Sequence, residues 1–169
     1  FSDARGNFLK HCKNFDEATD YKNHFLKKFK KEDIFQFWFF YGNSNLVIEN
    51  HYSKKFEEIV KYMYDLDDTT KFKHNAQLTM YDKGCLLKDH KDGYATGRLC
   101  VVLAYLNENY DESNGGNLIL DNHLKVVPEL GNIAIIDLDR FDVAHEVTEV
   151  TGDLKRYTAL SFITLVGNE

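Results

Sequence analysis

The second half of the chain is a succession of short β-rich segments separated by turns, and this pattern constrains the fold more than any other feature. The segments contain many Val, Ile, Thr, Tyr and Phe residues, and Gly, Asn or Asp residues lie between them. Eight short strands in succession suit a mainly β fold, the double-stranded β-helix of jelly-roll and cupin barrels. The predicted strands are Gln77–Tyr81, Leu86–His90, Arg98–Leu106, Asn117–Leu120, Leu124–Val127, Asn132–Leu138, Ala144–Val147 and Arg156–Leu165.

The N-terminal third has helical periodicity. Within Thr19–Lys31, aromatic residues recur at four-residue spacing, which predicts an amphipathic helix. A second helix is predicted to start at Ser53, whose hydroxyl would cap it. The residues predicted to face the core are Tyr21, Phe25 and Phe29 in the first helix and Phe56, Ile59, Val60 and Met63 in the second.

Between these helices, two apolar segments flank a turn. Ile34–Phe40 and Asn45–Ile48 are predicted strands, and Tyr41–Ser44 resembles a hairpin turn. With 169 residues and 43% apolar content, the chain is long enough for one core and one domain, 1–169. Residues 1–75 are predicted to be a mostly helical region that supports the barrel, and residues 76–166 are predicted to form the barrel itself.

Composition also limits the partners and the location. A net charge of −6 argues against a nucleic-acid partner, and no apolar run reaches the roughly 20 residues of a membrane span. No leader is recognisable, although the chain starts with Phe. Cys12, Cys85 and Cys100 are odd in number and lack C-x-x-C spacing, so a reducing, cytoplasmic setting is expected. The acidic stretch Asn107–Asp153 would favour a basic peptide, and the oligomeric state stays open.

The sequence His90-Lys91-Asp92, followed much later by His145, offers a set of metal ligands. Residues at i and i+2 of a strand share a face, so His90 and Asp92 can bind one ion while another strand supplies His145. Two His and one carboxylate are the facial triad of non-haem Fe(II) oxygenases. An isolated H-x-D motif is weak, because it also fits a polar pair on an exposed strand. The remaining histidines, His11, His24, His51, His74 and His123, are expected at the surface.

The last predicted strand supplies the second chemical signal. Its even positions Arg156, Thr158, Leu160 and Phe162 share one face. If that face lines a pocket, a buried guanidinium stands beside a hydroxyl, and a buried Arg requires an anion. The strand therefore predicts a carboxylate site.

From about Leu46 to Leu165, the chain resembles the 2-oxoglutarate and Fe(II)-dependent dioxygenases, within them the prolyl 4-hydroxylase-like branch. The similar stretches are spread along the chain, which makes them more specific than H-x-D alone. They are Leu46–Ser53, Gln77–Gly84, Arg98–Asn107 with its Tyr-Leu-Asn turn, and Gly115–Leu118.

This resemblance implies that His90, Asp92 and His145 bind iron and that Arg156 binds the distal carboxylate of 2-oxoglutarate. Tyr105 matches a tyrosine that shares this carboxylate. Fe(II), 2-oxoglutarate as co-substrate and O₂ would be required, with ascorbate as a further possibility.

Three more residues are assigned to the co-substrate. Thr158 would assist Arg156, Tyr81 matches a tyrosine near 2-oxoglutarate, and Leu118 would form a wall beyond Gly115 and Gly116, which are expected to mark a bulge or a close backbone approach. A core tyrosine with a satisfied hydroxyl is the alternative for Tyr81 and Tyr105. If Tyr105 faces the pocket, Val101 and Leu103 do too, and Cys100, Val102 and Ala104 pack behind.

The chain departs from the branch in three places. The step from His145 to Arg156 is longer than usual, which predicts an insertion near Thr151–Asp153. Tyr81–Gly84 replaces a Tyr-Pro-Gly turn, and the distal anchor is Arg, as in the oxygen-sensing hydroxylases, where the collagen type has Lys.

The resemblance therefore predicts hydroxylation of an unactivated C–H bond, with a prolyl residue of a protein or peptide as the first candidate substrate. A lysyl or other side chain and a free amino acid remain alternatives. A cupin-like metal-binding module without turnover is the alternative outside enzymes.

Overall fold

The computed structural model describes residues 26–31, 35–40, 52–92, 97–141 and 143–167, the first two ranges by their backbone pairing alone. One α-helix lies among ten strands in the described residues. The strands are β1 (Leu26–Lys31), β2 (Phe35–Phe40), β3 (Phe72–Tyr81), β4 (Leu86–His90), β5 (Arg98–Tyr105), β6 (Leu118–Leu120), β7 (Leu124–Val126), β8 (Ile133–Asp137), β9 (His145–Val147) and β10 (Arg156–Leu165). The helix, α1, is Ser53–Tyr64, and a short 3-10 turn spans Glu112–Asn114.

The strands form two antiparallel halves that face each other. One half has the order β3-β10-β5-β8 and the other β7-β6-β9-β4, and β2 joins them by pairing with both β3 and β4. A core cluster with residues from both halves, such as Val101, Ile136, Leu118 and Val147, fills part of the space between them. The predicted double-stranded β-helix is confirmed. Among the described residues, no helix is long and apolar enough to cross a membrane.

Strand β10 is the centre of the larger half because it pairs along its length with β3 and with β5. Because β10 lies between two layers, its successive side chains point alternately to one layer and to the other. Ala159 and Ile163 are fully buried on the helix side, in the cluster that also holds Cys100, Val102 and Ala104. The even positions from Arg156 to Phe162 face the space between the halves. The prediction of which side chains of β5 and β10 face the space between the halves is therefore confirmed.

Helix α1 covers the outer face of the larger half through a stripe at four-residue spacing. Tyr52, Phe56 and Val60 are fully buried in that layer. Two expectations were wrong here. The residue before the helix is Tyr52, without a side-chain cap bond, so Ser53 is the first helical residue and not the cap. Met63 is 59% exposed.

The end of α1 explains why Met63 is outside the core. Asp65 is left-handed (φ 52°), and the Leu66 N–H bonds the Lys61 carbonyl oxygen at 2.9 Å. This reversal directs Leu66 back onto the sheet, where it packs together with Tyr64. Tyr64 and Leu66, and not Met63, therefore make the last apolar contacts between the end of α1 and the sheet.

The helix predicted over Thr19–Lys31 is wrong for its second half, because Leu26–Lys31 is strand β1. It pairs antiparallel with β2 over six residues, from Leu26 opposite Phe40 to Lys31 opposite Phe35. This hairpin pairing outweighs the four-residue spacing, and Lys residues are well suited to an edge strand. Residues 19–25, the turn Tyr41–Ser44 and the strand Asn45–Ile48 lie outside the described residues.

Strand β3 begins at Phe72 and not at Gln77, so the barrel starts before residue 76. His74 consequently lies on a strand, and its expected surface position is wrong. Its side chain is 11% exposed, with Nε2 2.9 Å from Glu57 Oε1 of α1 and Nδ1 3.1 Å from Ser161 Oγ of β10. His74 thus links helix and sheet, whereas His123 is exposed as expected.

Candidate active site

The structure brings His90, Asp92 and His145 together at the end of the smaller half. His90 is the last residue of β4 and lies directly opposite His145, the first residue of β9. Asp92 follows just beyond β4, with Oδ1 3.8 Å from His90 Nε2 and Oδ2 3.6 Å from His145 Nε2. One ligand atom from each residue lies within 4.8 Å of the others, close enough to share one ion.

Backbone carbonyls orient both imidazoles. His90 Nδ1 is 2.9 Å from the Lys88 oxygen, and His145 Nδ1 is 3.2 Å from the Val143 oxygen. A carbonyl oxygen only accepts, so each Nδ1 donates the proton of its hydrogen bond and each ring is held with Nε2 beside Asp92. Burial, aided by the proximity of His90, lowers the pKa of His145, which keeps that ring neutral at neutral pH. These features fit a divalent metal.

The triad opens into a cavity of about 280 Å³ between the two halves. Most of its wall is apolar, and the wall comes from both halves of the barrel. The same cavity reaches Arg156 and Thr158. The apolar lining residues are Leu87, Val101, Leu103, Leu118, Ile136, Val147, Leu160 and Phe162.

Arg156 is the largest fully buried side chain among the described residues, with 1% exposure. Its Nη1 donates to Thr158 Oγ1 at 2.9 Å, whereas Nε and Nη2 have no hydrogen-bond partner there. These two nitrogens form the side-on edge of the guanidinium, which binds a carboxylate through two parallel hydrogen bonds. A buried cation with its carboxylate-binding edge free fits an anionic ligand.

Two tyrosines lie against the guanidinium. The Tyr81 and Tyr105 ring centroids are 4.8 Å and 5.2 Å from Arg156 Cζ. Burial raises the pKa of both hydroxyls, so both stay protonated, and the Tyr105 hydroxyl has no hydrogen-bond partner among the described residues. Thr158 is opposite Tyr105 on the paired strands, and Leu118 is 1% exposed in the cavity wall.

Sequence reasoning missed three polar residues of the cavity. Gln77 and Thr79 share the inward face of β3 with Tyr81, so strand alternation alone could have found them. Arg98 could not be found in this way, because β5 carries a bulge at Leu99. Strict alternation from Val101 would turn Leu99 inward, but the extra residue places Arg98 in the cavity instead. Arg98 Cζ lies 3.9 Å from the Phe162 ring centroid.

The close backbone approach that the sequence predicted is at Gly115, where a Cβ would collide with the Glu149 carbonyl oxygen, and the next residue, Gly116, adjoins Arg156. Gly116 has φ 65°, and a Cβ there would lie 2.9 Å from Arg156 Cδ and 3.0 Å from Val150 Cγ2. A side chain would displace the stem of Arg156, so glycine keeps the guanidinium in place.

A family model described as the 2OG-Fe(II) oxygenase superfamily matches residues 76–164. This range contains the His-Asp-His cluster and Arg156. A search of curated proteins found no match.

Solved structures with the same fold include prolyl hydroxylases. A Pseudomonas putida prolyl-4-hydroxylase superposes with a TM-score of 0.70 at 16% identity, covering 97% of this chain and 86% of that chain. A Trichoplax adhaerens prolyl hydroxylase, in complex with a hypoxia inducible factor oxygen degradation domain peptide fragment, gives 0.72 at 16% identity, covering 96% and 79%. SnoN, a non-heme alpha-ketoglutarate-dependent epimerase from nogalamycin biosynthesis, gives 0.69 at 8% identity, covering 96% and 73%. At these identities the similarity shows the fold alone.

Proposed function

Because the chain belongs to the 2OG-Fe(II) oxygenase superfamily, we propose that it is an enzyme that hydroxylates an unactivated C–H bond of a prolyl residue in a protein or peptide. One observation carries the proposal. A single cavity contains a His-Asp-His cluster and a buried guanidinium whose carboxylate-binding edge is free.

In this proposal His90, Asp92 and His145 would hold Fe(II) and leave the remaining positions for 2-oxoglutarate and O₂. When bound, the ion and co-substrate supply the oxidising chemistry, in which 2-oxoglutarate becomes succinate and CO₂ and the substrate gains a hydroxyl group. Arg156 would bind the distal carboxylate, with Thr158 holding Nη1 and Tyr105 donating its hydroxyl. Thr158 would also orient the guanidinium, because its oxygen accepts a hydrogen bond from Nη1, the nitrogen that the carboxylate would not use.

The other cavity residues would shield the reaction from water. Leu118 and Val147 come from the smaller half and Leu103 and Ile136 from the larger half, so the co-substrate would be enclosed from two sides. An apolar enclosure strengthens the pairing between Arg156 and a carboxylate, because the local dielectric constant is low. Tyr81 would close the Arg156 end, where its ring covers the guanidinium.

The charges of the cavity support a neutral substrate side chain. Asp92 is the one acid among its described lining residues, and it would be committed to the metal. A lysyl ammonium group would have no anion of its own there, and an unpaired charge is costly to bury. The apolar ring of proline requires no such partner. The Trichoplax prolyl hydroxylase, which has the same fold, is in complex with a peptide fragment, and this supports a peptide substrate.

The direct test uses the wild-type protein. Anaerobic addition of Fe(II) and then 2-oxoglutarate is expected to produce the weak visible charge-transfer band of the ternary complex. A panel of proline-containing and lysine-containing peptides is then incubated in air and analysed by mass spectrometry. We expect one added oxygen on proline peptides, with one succinate formed per hydroxylation.

Three outcomes would contradict parts of the proposal. Absence of the band and of 2-oxoglutarate binding would contradict the oxygenase assignment. Binding without oxygen incorporation into any peptide, free amino acid or other substrate would favour the non-catalytic binding module. Oxygen on lysine peptides alone would replace the prolyl substrate by a lysyl one.

Arg98 would contact the peptide main chain, because it lies in the cavity wall and is held over Phe162. A hydrogen bond from a charged donor contributes about 1.5–3 kcal/mol, which corresponds to roughly 10–100-fold in affinity. We expect Arg98→Met to raise the peptide KM by about that factor, with the KM for 2-oxoglutarate unchanged. Steady-state kinetics with each substrate varied in turn measures both values.

The control for Arg98→Met is Lys54→Met, which removes the same charge from an exposed position of α1. A peptide KM that rises equally in both variants would indicate a general charge effect and remove Arg98 from the peptide site.

A further inference from the structure

The described residues contain five buried side-chain atoms without a hydrogen-bond partner, and four of them belong to Arg156 and two tyrosines. They are Arg156 Nε, Arg156 Nη2, the Tyr105 hydroxyl and the Tyr110 hydroxyl. Tyr105 was expected from the sequence, whereas Tyr110 was not. We propose that Tyr110 is a further residue of the carboxylate site, where its hydroxyl adds a hydrogen bond to the distal carboxylate that the free edge of Arg156 binds.

The geometry of Gly116 makes Tyr110 and Arg156 neighbours. A Cβ on Gly116 would lie 2.8 Å from the Tyr110 hydroxyl oxygen and 2.9 Å from Arg156 Cδ, so both groups approach the same point of the backbone. Nε is bonded to Cδ and is one of the two free nitrogens of the guanidinium edge. The Tyr110 hydroxyl thus lies beside the stem of Arg156 that carries this nitrogen.

Asn114 is the polar side chain beside this hydroxyl. Its Nδ2 donates to the Leu154 oxygen at 2.8 Å and its Oδ1 accepts from the Leu154 N–H at 3.1 Å, and the Tyr110 hydroxyl is not in hydrogen-bond geometry with either atom. A conventional core tyrosine has a satisfied hydroxyl. Tyr110 is 5% exposed and has none within the described part of the chain, which favours a role in binding over one in packing.

The proton is available for donation. Burial raises the pKa of Tyr110, and the neighbouring Asn114 side chain and the positive charge of Arg156 oppose this rise. The group therefore remains a phenol at neutral pH and can donate to a carboxylate oxygen. With the two Arg156 nitrogens and Tyr105, a carboxylate in this site would have four donors, enough to replace much of its hydration.

This inference rests on the proposed function, and a direct binding experiment separates the two. The protein is loaded anaerobically with Mn(II), and 2-oxoglutarate is titrated by calorimetry. The same titration is repeated with 2-oxobutyrate, which retains the metal-chelating keto acid and lacks the distal carboxylate. We expect Tyr110→Phe to weaken 2-oxoglutarate binding by about tenfold, the effect of one hydrogen bond to a charged group, and to leave 2-oxobutyrate binding unchanged.

Two comparisons make the result specific. Tyr62→Phe removes the same hydroxyl from a side chain that is 86% exposed on α1, and it should bind both ligands as the wild type does. Gly116→Ala should weaken 2-oxoglutarate binding more than Tyr110→Phe, because its methyl group displaces both Tyr110 and Arg156. Melting temperatures of the apoproteins identify variants that fail to fold.

Each outcome has a definite meaning. Wild-type protein that does not bind 2-oxoglutarate would overturn the proposed function and this inference with it. Wild-type binding that Tyr110→Phe leaves unchanged would overturn the inference alone. An equal loss of 2-oxoglutarate and 2-oxobutyrate binding would also overturn it, because the effect would then be on the pocket as a whole and not on the distal carboxylate.

Discussion

Replacing Arg156 with Met is expected to abolish 2-oxoglutarate binding while the apoprotein stays as stable as the wild type or becomes more stable. Arg156 is buried, and its Nε and Nη2 make no hydrogen bond within the described residues. A charge in that position is a cost to the apoprotein, and apolar replacement of buried charges is often neutral or stabilising. Met is unbranched and flexible, reaches about as far as Arg156 Nε, and packs favourably against aromatic rings such as Tyr81 and Tyr105.

The expected loss of binding is large because a desolvated carboxylate would be left without its cation. Breaking such a buried pair costs about 3–5 kcal/mol, or roughly 10²–10³-fold or more in Kd. Calorimetry with Mn(II) and 2-oxoglutarate measures this loss, and differential scanning calorimetry of the apoprotein gives Tm. The wild type should gain Tm on adding both ligands, whereas Arg156→Met should gain it from Mn(II) alone.

Arg140→Met serves as the control, because Arg140 is exposed and stacks at 5.1 Å on Tyr64, outside the cavity. It should retain wild-type 2-oxoglutarate affinity. If Arg156→Met bound 2-oxoglutarate within a few-fold of wild type, Arg156 would not be the carboxylate anchor. If its apoprotein Tm fell by many degrees, the guanidinium would have a structural role that outweighs its burial cost.

The barrel could be predicted from the sequence because its strands obey a two-residue period and end at turn residues. For β10, that period was sufficient to place Arg156, Thr158 and Phe162 on the cavity side, and the structure has them there. Strand position also explains why His90 and His145 meet: each lies at the end of its strand, and the two strands pair with each other. Local pattern and long-range pairing agree in this part of the chain.

The rest could not be predicted because it is decided by strand pairing, a bulge and a close approach in space, none of which the spacing of residues reveals. The four-residue spacing of Tyr21, Phe25 and Phe29 indicated a helix, but pairing with β2 makes Leu26–Lys31 a strand. Arg98 enters the cavity because of one bulge, which no spacing in β5 reveals. Tyr110 lies in a loop, and its hydroxyl and the stem of Arg156 approach the same backbone position at Gly116. Such residues become visible only when burial and hydrogen-bond partners are known.

Replacing Asp92 with Ala should remove tight metal binding and, with it, turnover. The substitution takes away the one carboxylate with oxygens near both His90 Nε2 and His145 Nε2, at 3.8 Å and 3.6 Å. Loss of an outer-shell partner alone typically costs 10–100-fold in metal affinity, and loss of a direct ligand should exceed roughly 100-fold. Electron paramagnetic resonance of free Mn(II) during titration measures the affinity, and succinate formation measures the turnover.

Asp89→Ala separates coordination from simple charge. Asp89 is an exposed residue of β4, one position from His90, and its charge also acts on His145. Both substitutions therefore remove one negative charge near the imidazoles, but only Asp92 has an oxygen within reach of both Nε2 atoms. Asp89→Ala should keep wild-type metal affinity within a few-fold. Equal loss in the two variants would mean that His90 and His145 attract the metal through the local field, and undiminished succinate release from Asp92→Ala would remove that carboxylate from the proposed iron site.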